Sequence, residues 1–174
     1  MSNTPQTAFV PVELLRGALK SQYHAGLDML RAAIEACPAE LWSDTAHRNP
    51  FWSVAYHVLF YTHFYLHRHA DEFRPWEKHR DESHRMGGGA PYTKEEVLAY
   101  LELCDGFVDP AVDALDPVSP ESGFDWYPMS KLEHQLVNVR HLGHHAGQLI
   151  DRVRVARDEG VAWVGARSSR RIET

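Results

Sequence analysis

The sequence predicts an all-α protein, a four-helix bundle with a long crossover between its second and third helices. Four long segments carry helix start signals, and no run of residues reads convincingly as a strand. The 174 residues suffice for one domain with its own core. Helices of this length without strands pack most often as a bundle. We therefore expect a single domain over residues 1–174, with its core at about 11–157 and a frayed, flexible C-terminal tail after Val164.

The first two helices are predicted at about Pro11–Cys37 and Pro50–His69. Pro11 and Pro50 suit a first helical position, where the missing N–H is not needed. Asn49 is a favourable N-cap for the second helix, and Pro38 ends the first. Apolar residues of the first helix recur at three- and four-residue spacing, which indicates one buried face: Leu15, Leu19, Tyr23, Leu27, Leu30 and Ile34.

The third and fourth helices are predicted at about Lys94–Leu115 and Lys131–Arg157. Both open with a capping-box pattern, formed by Thr93 with Glu96 and by Ser130 with Glu133. Two connections remain. The longer one contains Gly87-Gly88-Gly89, so we expect Met86–Ala90 to be the most mobile internal segment, and a lid if it covers a site. The stretch 116–128, with three prolines, is a second loop.

The composition excludes several classes of function. The net charge of -6 and the absence of a basic face argue against binding to nucleic acid or to an anionic membrane. No apolar run is long enough to span a membrane, and residues 1–6 are polar and lack a signal-peptide core. Two cysteines are too few for a disulfide framework. We therefore expect a cytoplasmic protein.

Histidine is unusually frequent, with twelve residues that concentrate at 57–84 and 134–145. The fourth helix contains His141-Leu-Gly-His144-His145-Ala-Gly-Gln148. Residues four apart on a helix lie one above the other, so His141 and His145 can converge on one metal ion. A helical wheel places His145 between His141 and the apolar arc, and His144 towards the charged side. His141 and His145 are therefore the favoured pair, although His141 with His144 is a possible spacing.

A polar row along the core edge of this helix supports a site, because buried polar groups are costly unless something satisfies them. Besides the two histidines, its members are His134, Asn138 and Gln148. His57 of the second helix is the candidate third ligand, because it lies among apolar neighbours. A lone His57 is also compatible with an ordinary hydrogen-bonded core histidine. His63 and His67, four apart, are a rival pair that a solvated face explains equally well.

Surface and loop roles are the default interpretation for the remaining histidines of the chain: His24, His47, His69, His79 and His84. Gly147 is interpreted as a residue that permits close helix packing. The sequence has no Glu-x-x-His pair of the di-iron carboxylate bundles and no His-Glu-x-x-His motif of the zincin proteases.

These motifs resemble the DinB-like superfamily, which includes bacillithiol and mycothiol S-transferases. The resemblance rests on Ser53-Val-Ala-Tyr-His57 of the second helix and on His-x-x-x-His-x-Gly-Gln at 141–148 of the fourth. Their order and spacing agree across roughly Pro11–Arg157. The abundance of histidine and aromatic residues on the second helix is not part of the family pattern.

The resemblance implies a bundle with a long crossover, a frequent homodimer, and one divalent metal ion per chain, zinc or nickel, bound by His57, His141 and His145. It also implies a metal-dependent S-transferase that activates a low-molecular-weight thiol. A metal-bound hydroxide would support hydrolysis of a small-molecule substrate instead. A non-enzymatic, metal-stabilised dimer is a third hypothesis, and DNA binding is disfavoured by the charge. Tyr61 and His134 are candidate acid–base residues.

Overall fold

The computed structural model describes residues 10–167, and within them it contains five α-helices, one 3-10 helix and no strand. The α-helices are α1 (Val12–Ala36), α2 (Ala39–Trp42), α3 (Phe51–Tyr65), α4 (Lys94–Ala114) and α5 (Lys131–Arg157), and the 3-10 helix is Ala70–Glu72. The four predicted helices correspond to α1, α3, α4 and α5. The all-α prediction is confirmed. None of the helices in the described range is long and apolar enough to cross a membrane.

Each of the four long helices packs mainly against two of the others. α1 packs against α4 and α5, and α3 packs against the same two helices. α3 is therefore enclosed by α4, α5 and the crossover, which explains why almost every face of it is buried. The predicted long connection between the second and third helices is present as residues 66–93.

Helix boundaries follow the capping chemistry, with two corrections. Thr93 and Glu96 form a complete capping box. The Ser130 hydroxyl accepts a hydrogen bond from the backbone N–H of Glu133 in the first turn of α5. Asn49 is not the N-cap of α3; Pro50 occupies that position without a side-chain hydrogen bond. The predicted end of this helix at His69 is also wrong, since α3 stops at Tyr65 and a 3-10 turn follows.

Aromatic packing holds the crossover against the bundle. The Tyr92 ring stacks on Tyr56 of α3 with centroids 4.2 Å apart, and Trp76 stacks on Tyr100 of α4 at 4.9 Å. The backbone N–H of Gly87 donates a hydrogen bond to the Ser53 hydroxyl at 2.7 Å. The glycine run is thus in contact with α3, and its mobility stays a prediction.

The interpretation of His24 as a surface residue is wrong. Its side chain is fully buried between α1 and α4, where Nδ1 lies 2.7 Å from an Asp105 carboxylate oxygen and Nε2 lies 3.0 Å from one of Asp109. Burial lowers the pKa of this imidazole, but the hydrogen bonds to the two carboxylates outweigh it and leave the pKa raised. A doubly protonated ring satisfies both contacts.

The C-terminal segment makes contacts with the helices as far as Arg167, and the flexibility of the tail stays a prediction. The Arg167 guanidinium pairs with Asp28 at 3.0 Å and also contacts Asp105. The side chain of Gln22 donates a hydrogen bond to the Gly165 carbonyl oxygen. Residues 168–174, the rest of that tail, lie outside the described residues.

Candidate metal centre

The structure brings His57, His141 and His145 together although 84 residues separate the first two. One ligand nitrogen of each ring lies within 4.8 Å of the others, and the Nε2 atoms of His57 and His141 are 3.3 Å apart. Nitrogen ligands about 2.0–2.1 Å from a tetrahedral zinc ion are roughly 3.4 Å from one another. The 3.3 Å spacing of the His57 and His141 nitrogens therefore fits a small divalent ion.

Two packed helices place these rings. His141 and His145 lie one turn apart on α5, with ring centroids separated by 4.6 Å. His57 projects from α3, which packs along α5, and its ring lies 5.3 Å from that of His141 and 5.1 Å from that of His145. His57 and His141 are half-buried and His145 is buried, so the cluster borders the core and stays accessible.

Hydrogen bonds orient two of the three rings. Nδ1 of His57 donates to the His84 carbonyl oxygen at 2.8 Å, and a carbonyl can only accept, so Nε2 carries the free lone pair. Nδ1 of His145 lies 2.8 Å from the Gln148 side-chain oxygen. Such partners fix the tautomer and the orientation of metal-binding histidines. Nδ1 of His141 is buried and has no partner among the described residues.

Burial keeps these imidazoles neutral. Removal from water, with a smaller contribution from neighbouring histidines, lowers the pKa of His57 to about 4 and that of His141 to about 3. The pKa of His145 is also lowered by burial, in spite of its hydrogen bond to Gln148. Neutral imidazole is the form that binds a metal ion. At neutral pH the donor set is ready without loss of a proton.

The other histidines of these two helices separate into distinct environments. His144 is exposed, as the helical wheel predicts, and its Nε2 contacts the side-chain nitrogen of Gln148 at 3.1 Å. The solvated-face explanation of His63 is wrong, because this side chain is buried. It packs against Phe107 and its Nδ1 contacts the Tyr100 hydroxyl at 3.1 Å. His63 and His67 belong to no three-residue metal-binding group within residues 10–167.

The predicted polar row on α5 is partly satisfied. The Asn138 side chain donates to the Thr62 carbonyl oxygen at 3.2 Å. His134 is fully buried, and neither of its ring nitrogens has a hydrogen-bond partner among the described residues. Of the two acid–base candidates, Tyr61 lines a cavity beside the cluster, whereas His134 lies outside that lining. Gly147 does not mediate packing, because nothing lies within 4 Å of the Cβ position that it would carry.

Sequence reasoning missed contributors that come from distant parts of the chain. The His84 carbonyl orients His57 from the crossover, although His84 was interpreted as an ordinary loop residue. Tyr65, Tyr127 and Val137 line the cavity beside the cluster. Backbone carbonyls and loop tyrosines carry no sequence signal of their own, so only the folded chain identifies them.

The comparisons with known proteins agree with this arrangement. A family model described as the DinB superfamily matches residues 22–149, a range that includes all three clustered histidines. No curated protein and no solved structure matches the chain. The family match covers most of the 174 residues. The chain belongs to the DinB superfamily.

Proposed function

We propose that His57, His141 and His145 bind one divalent metal ion, zinc or nickel, and that the loaded protein transfers a low-molecular-weight thiol to an electrophile. The observation that supports the metal is the convergence of three neutral imidazoles within 4.8 Å. Thiol transfer is supported by membership of the DinB superfamily and by the resemblance to its S-transferases. We further propose that the protein acts as a homodimer.

The chemistry follows from the donor set. His57, His141 and His145 would hold the ion as neutral imidazoles, which would leave it with its full charge and open positions and able to deprotonate a bound thiol. The protein contributes orientation: the His84 carbonyl and Gln148 fix two of the rings. It also leaves a cavity of about 230 Å³ beside His57 and His141, where a second reactant can approach.

Metal binding is tested with untagged protein that has been stripped by a chelator and then titrated with zinc or nickel. We expect about one ion per chain and a higher melting temperature in its presence. His57→Ala, His141→Ala and His145→Ala should each lose the tight binding and the thermal shift. His144→Ala is the matched control on the same turn, and it should retain both. Protein that stays metal-free with either ion would reject the proposal.

Thiol transfer is tested separately, with a panel of low-molecular-weight thiols and an electrophile whose conjugation changes its absorbance. The metal-loaded protein should accelerate conjugation with at least one thiol, and His145→Ala should abolish the acceleration. The expected order among the variants is that of their metal affinities. Full metal binding without acceleration for any thiol would reject the transferase, and the hydrolase and structural hypotheses would then be tested next.

A further inference from the structure

A small cavity adjoins the three-histidine cluster and is built mainly from tyrosine. Its volume is about 230 Å³, and its lining consists of His57, Tyr61, Tyr65, Tyr127, Val137 and His141. A larger cavity of about 400 Å³ under the loop at 120–129 includes none of the three clustered histidines. Of these two cavities, the smaller one places a bound molecule against residues of the candidate metal centre.

The tyrosine rings form a continuous wall that starts at the cluster. Tyr61 lies one turn after His57, with ring centroids 4.8 Å apart, and its ring is 5.9 Å from that of His141. Tyr65 follows one turn later, 5.5 Å from Tyr61, and meets the edge of Tyr127 at 5.5 Å. Rings in such mutual contact give the cavity flat, apolar faces.

Buried side chains behind this wall fix its shape. His134 is fully buried, and its ring lies 4.9 Å from that of Tyr65 and 5.0 Å from that of Tyr127. Phe124 packs edge-on against Tyr65 at 5.3 Å. Tyr65 therefore packs against both His134 of α5 and Phe124 of the preceding loop, and Tyr127 packs against His134. Because these contacts fix the tyrosine rings, the cavity is a preformed site.

The charge of the lining restricts the ligand. No lysine, arginine, aspartate or glutamate lines the cavity. Arg85 is a cation that influences Tyr61, and its side chain is exposed and paired with Glu82. In the metal-free pocket an ionised ligand would lose its hydration without gaining an ion pair with a side chain, which is costly. A neutral ligand would not incur this cost.

The tyrosine hydroxyl groups indicate which functional group the ligand carries. A phenol hydroxyl can donate a hydrogen bond to an oxygen acceptor. The volume is below the roughly 300–1,000 Å³ of common ligand pockets, so it suits a molecule of about one ring. We propose that the tyrosine pocket, formed by Tyr61, Tyr65, Tyr127 and Val137, binds the electrophilic co-substrate, and that this is a small, uncharged aromatic carbonyl compound. The assignment as co-substrate rests on the proposed function.

Direct binding tests the ligand class, with acetophenone as the neutral probe and with benzoate and benzylammonium as charged probes of similar size. Ligand-observed nuclear magnetic resonance on metal-stripped protein avoids coordination of benzoate by the metal. Acetophenone should bind at least tenfold more tightly than either charged probe. Equal or tighter binding of a charged probe would overturn the proposal.

Two substitutions of Val137 test whether acetophenone binds in the tyrosine pocket. Val137→Phe fills the cavity, and it should weaken acetophenone binding at least tenfold while zinc binding is retained. Leu136→Phe is the matched control, because Leu136 neighbours Val137 on α5, is 56 % exposed and does not line the cavity. Val137→Ala enlarges the cavity and should improve binding of the two-ring probe 2-acetonaphthone, which keeps the test valid if the phenylalanine variant misfolds. Unchanged affinities in both Val137 variants would overturn the proposal.

The outcomes distinguish a failure of the pocket assignment from a failure of the proposed transferase activity. If the protein conjugates thiols but acetophenone binding does not respond to Val137, only the pocket assignment fails. If the tyrosine pocket binds acetophenone and the protein binds no metal, the proposed function fails and the ligand class stands.

Discussion

Gln148 is the residue that connects a candidate metal ligand to the protein surface. Its side-chain oxygen accepts from Nδ1 of His145, and its nitrogen contacts exposed His144. Partners of this kind are worth about 10–100-fold in metal affinity. We expect Gln148→Leu to weaken zinc binding by a factor in that range without abolishing it, as measured by competition with a chromophoric chelator. His144→Ala removes only the outer contact, and a comparable loss there would contradict this role of Gln148.

His24 makes the stability of the protein depend on pH. Its pKa is raised in the folded state, since its contacts with Asp105 and Asp109 outweigh burial and the repulsion by Arg167. A group with a raised pKa stabilises the fold fully below its unfolded pKa of about 6.5, and this contribution is lost as the pH rises through the folded value.

We therefore expect the difference in free energy of unfolding between the wild type and His24→Phe to be largest at about pH 6, below the unfolded pKa of about 6.5, and to shrink towards pH 9. Urea denaturation of both proteins across this range measures it. A difference that grows with pH would mean that the buried imidazole is neutral in the folded protein.

At the scale of the elements, Gly26 allows the close approach of α1 to Leu142 of α5. A Cβ atom at Gly26 would lie 2.7 Å from a methyl group of Leu142, which is fully buried. Gly147, on the outer face of α5, has nothing within 4 Å of its Cβ position. The two glycines lie in helices of similar length and differ in surroundings, so they form a matched pair.

Alanine at the two positions should have opposite effects. Gly147→Ala should raise the free energy of unfolding by about 1 kcal/mol, because alanine favours helix. Gly26→Ala should lower it, because overpacking costs about 1–3 kcal/mol and outweighs that gain. Thermal denaturation of metal-stripped protein compares them. Equal stabilisation by both variants would show that α1 and α5 are not in close contact at Gly26.

At the scale of the whole molecule, Arg167 connects the C-terminal segment to the helices through its contact with a buried carboxylate. Arg167 contacts Asp105, which is 2 % exposed, and pairs with Asp28 of α1 at 3.0 Å. A buried carboxylate that loses one of its partners incurs a desolvation cost of about 1–3 kcal/mol.

Arg167→Ala should therefore lower the free energy of unfolding by about 1–3 kcal/mol, measured by urea denaturation. The control is Arg85→Ala, which breaks an exposed pair with Glu82 and should cost less than about 1 kcal/mol. Equal effects in the two variants would mean that the Arg167 contact is no stronger than a surface ion pair.

The four long helices and the three candidate ligands are predictable from the sequence alone. Capping residues such as Thr93 act within one turn, and the spacing of His141 and His145 places their side chains on one face of α5 whatever packs against it. Local chemistry of this kind is readable from residues a few positions apart. The convergence of His57 was predicted from the apolar neighbours of its helix and from the family resemblance.

The surroundings of that cluster depend on the tertiary structure. The His84 carbonyl reaches His57 across 27 residues, and Tyr127 joins Tyr65 across a loop. His24 is buried rather than exposed because α4 places two carboxylates beside it. These contacts join residues that are distant in sequence and belong to no periodic pattern, so their physical cause is the packing of helices and loops against one another.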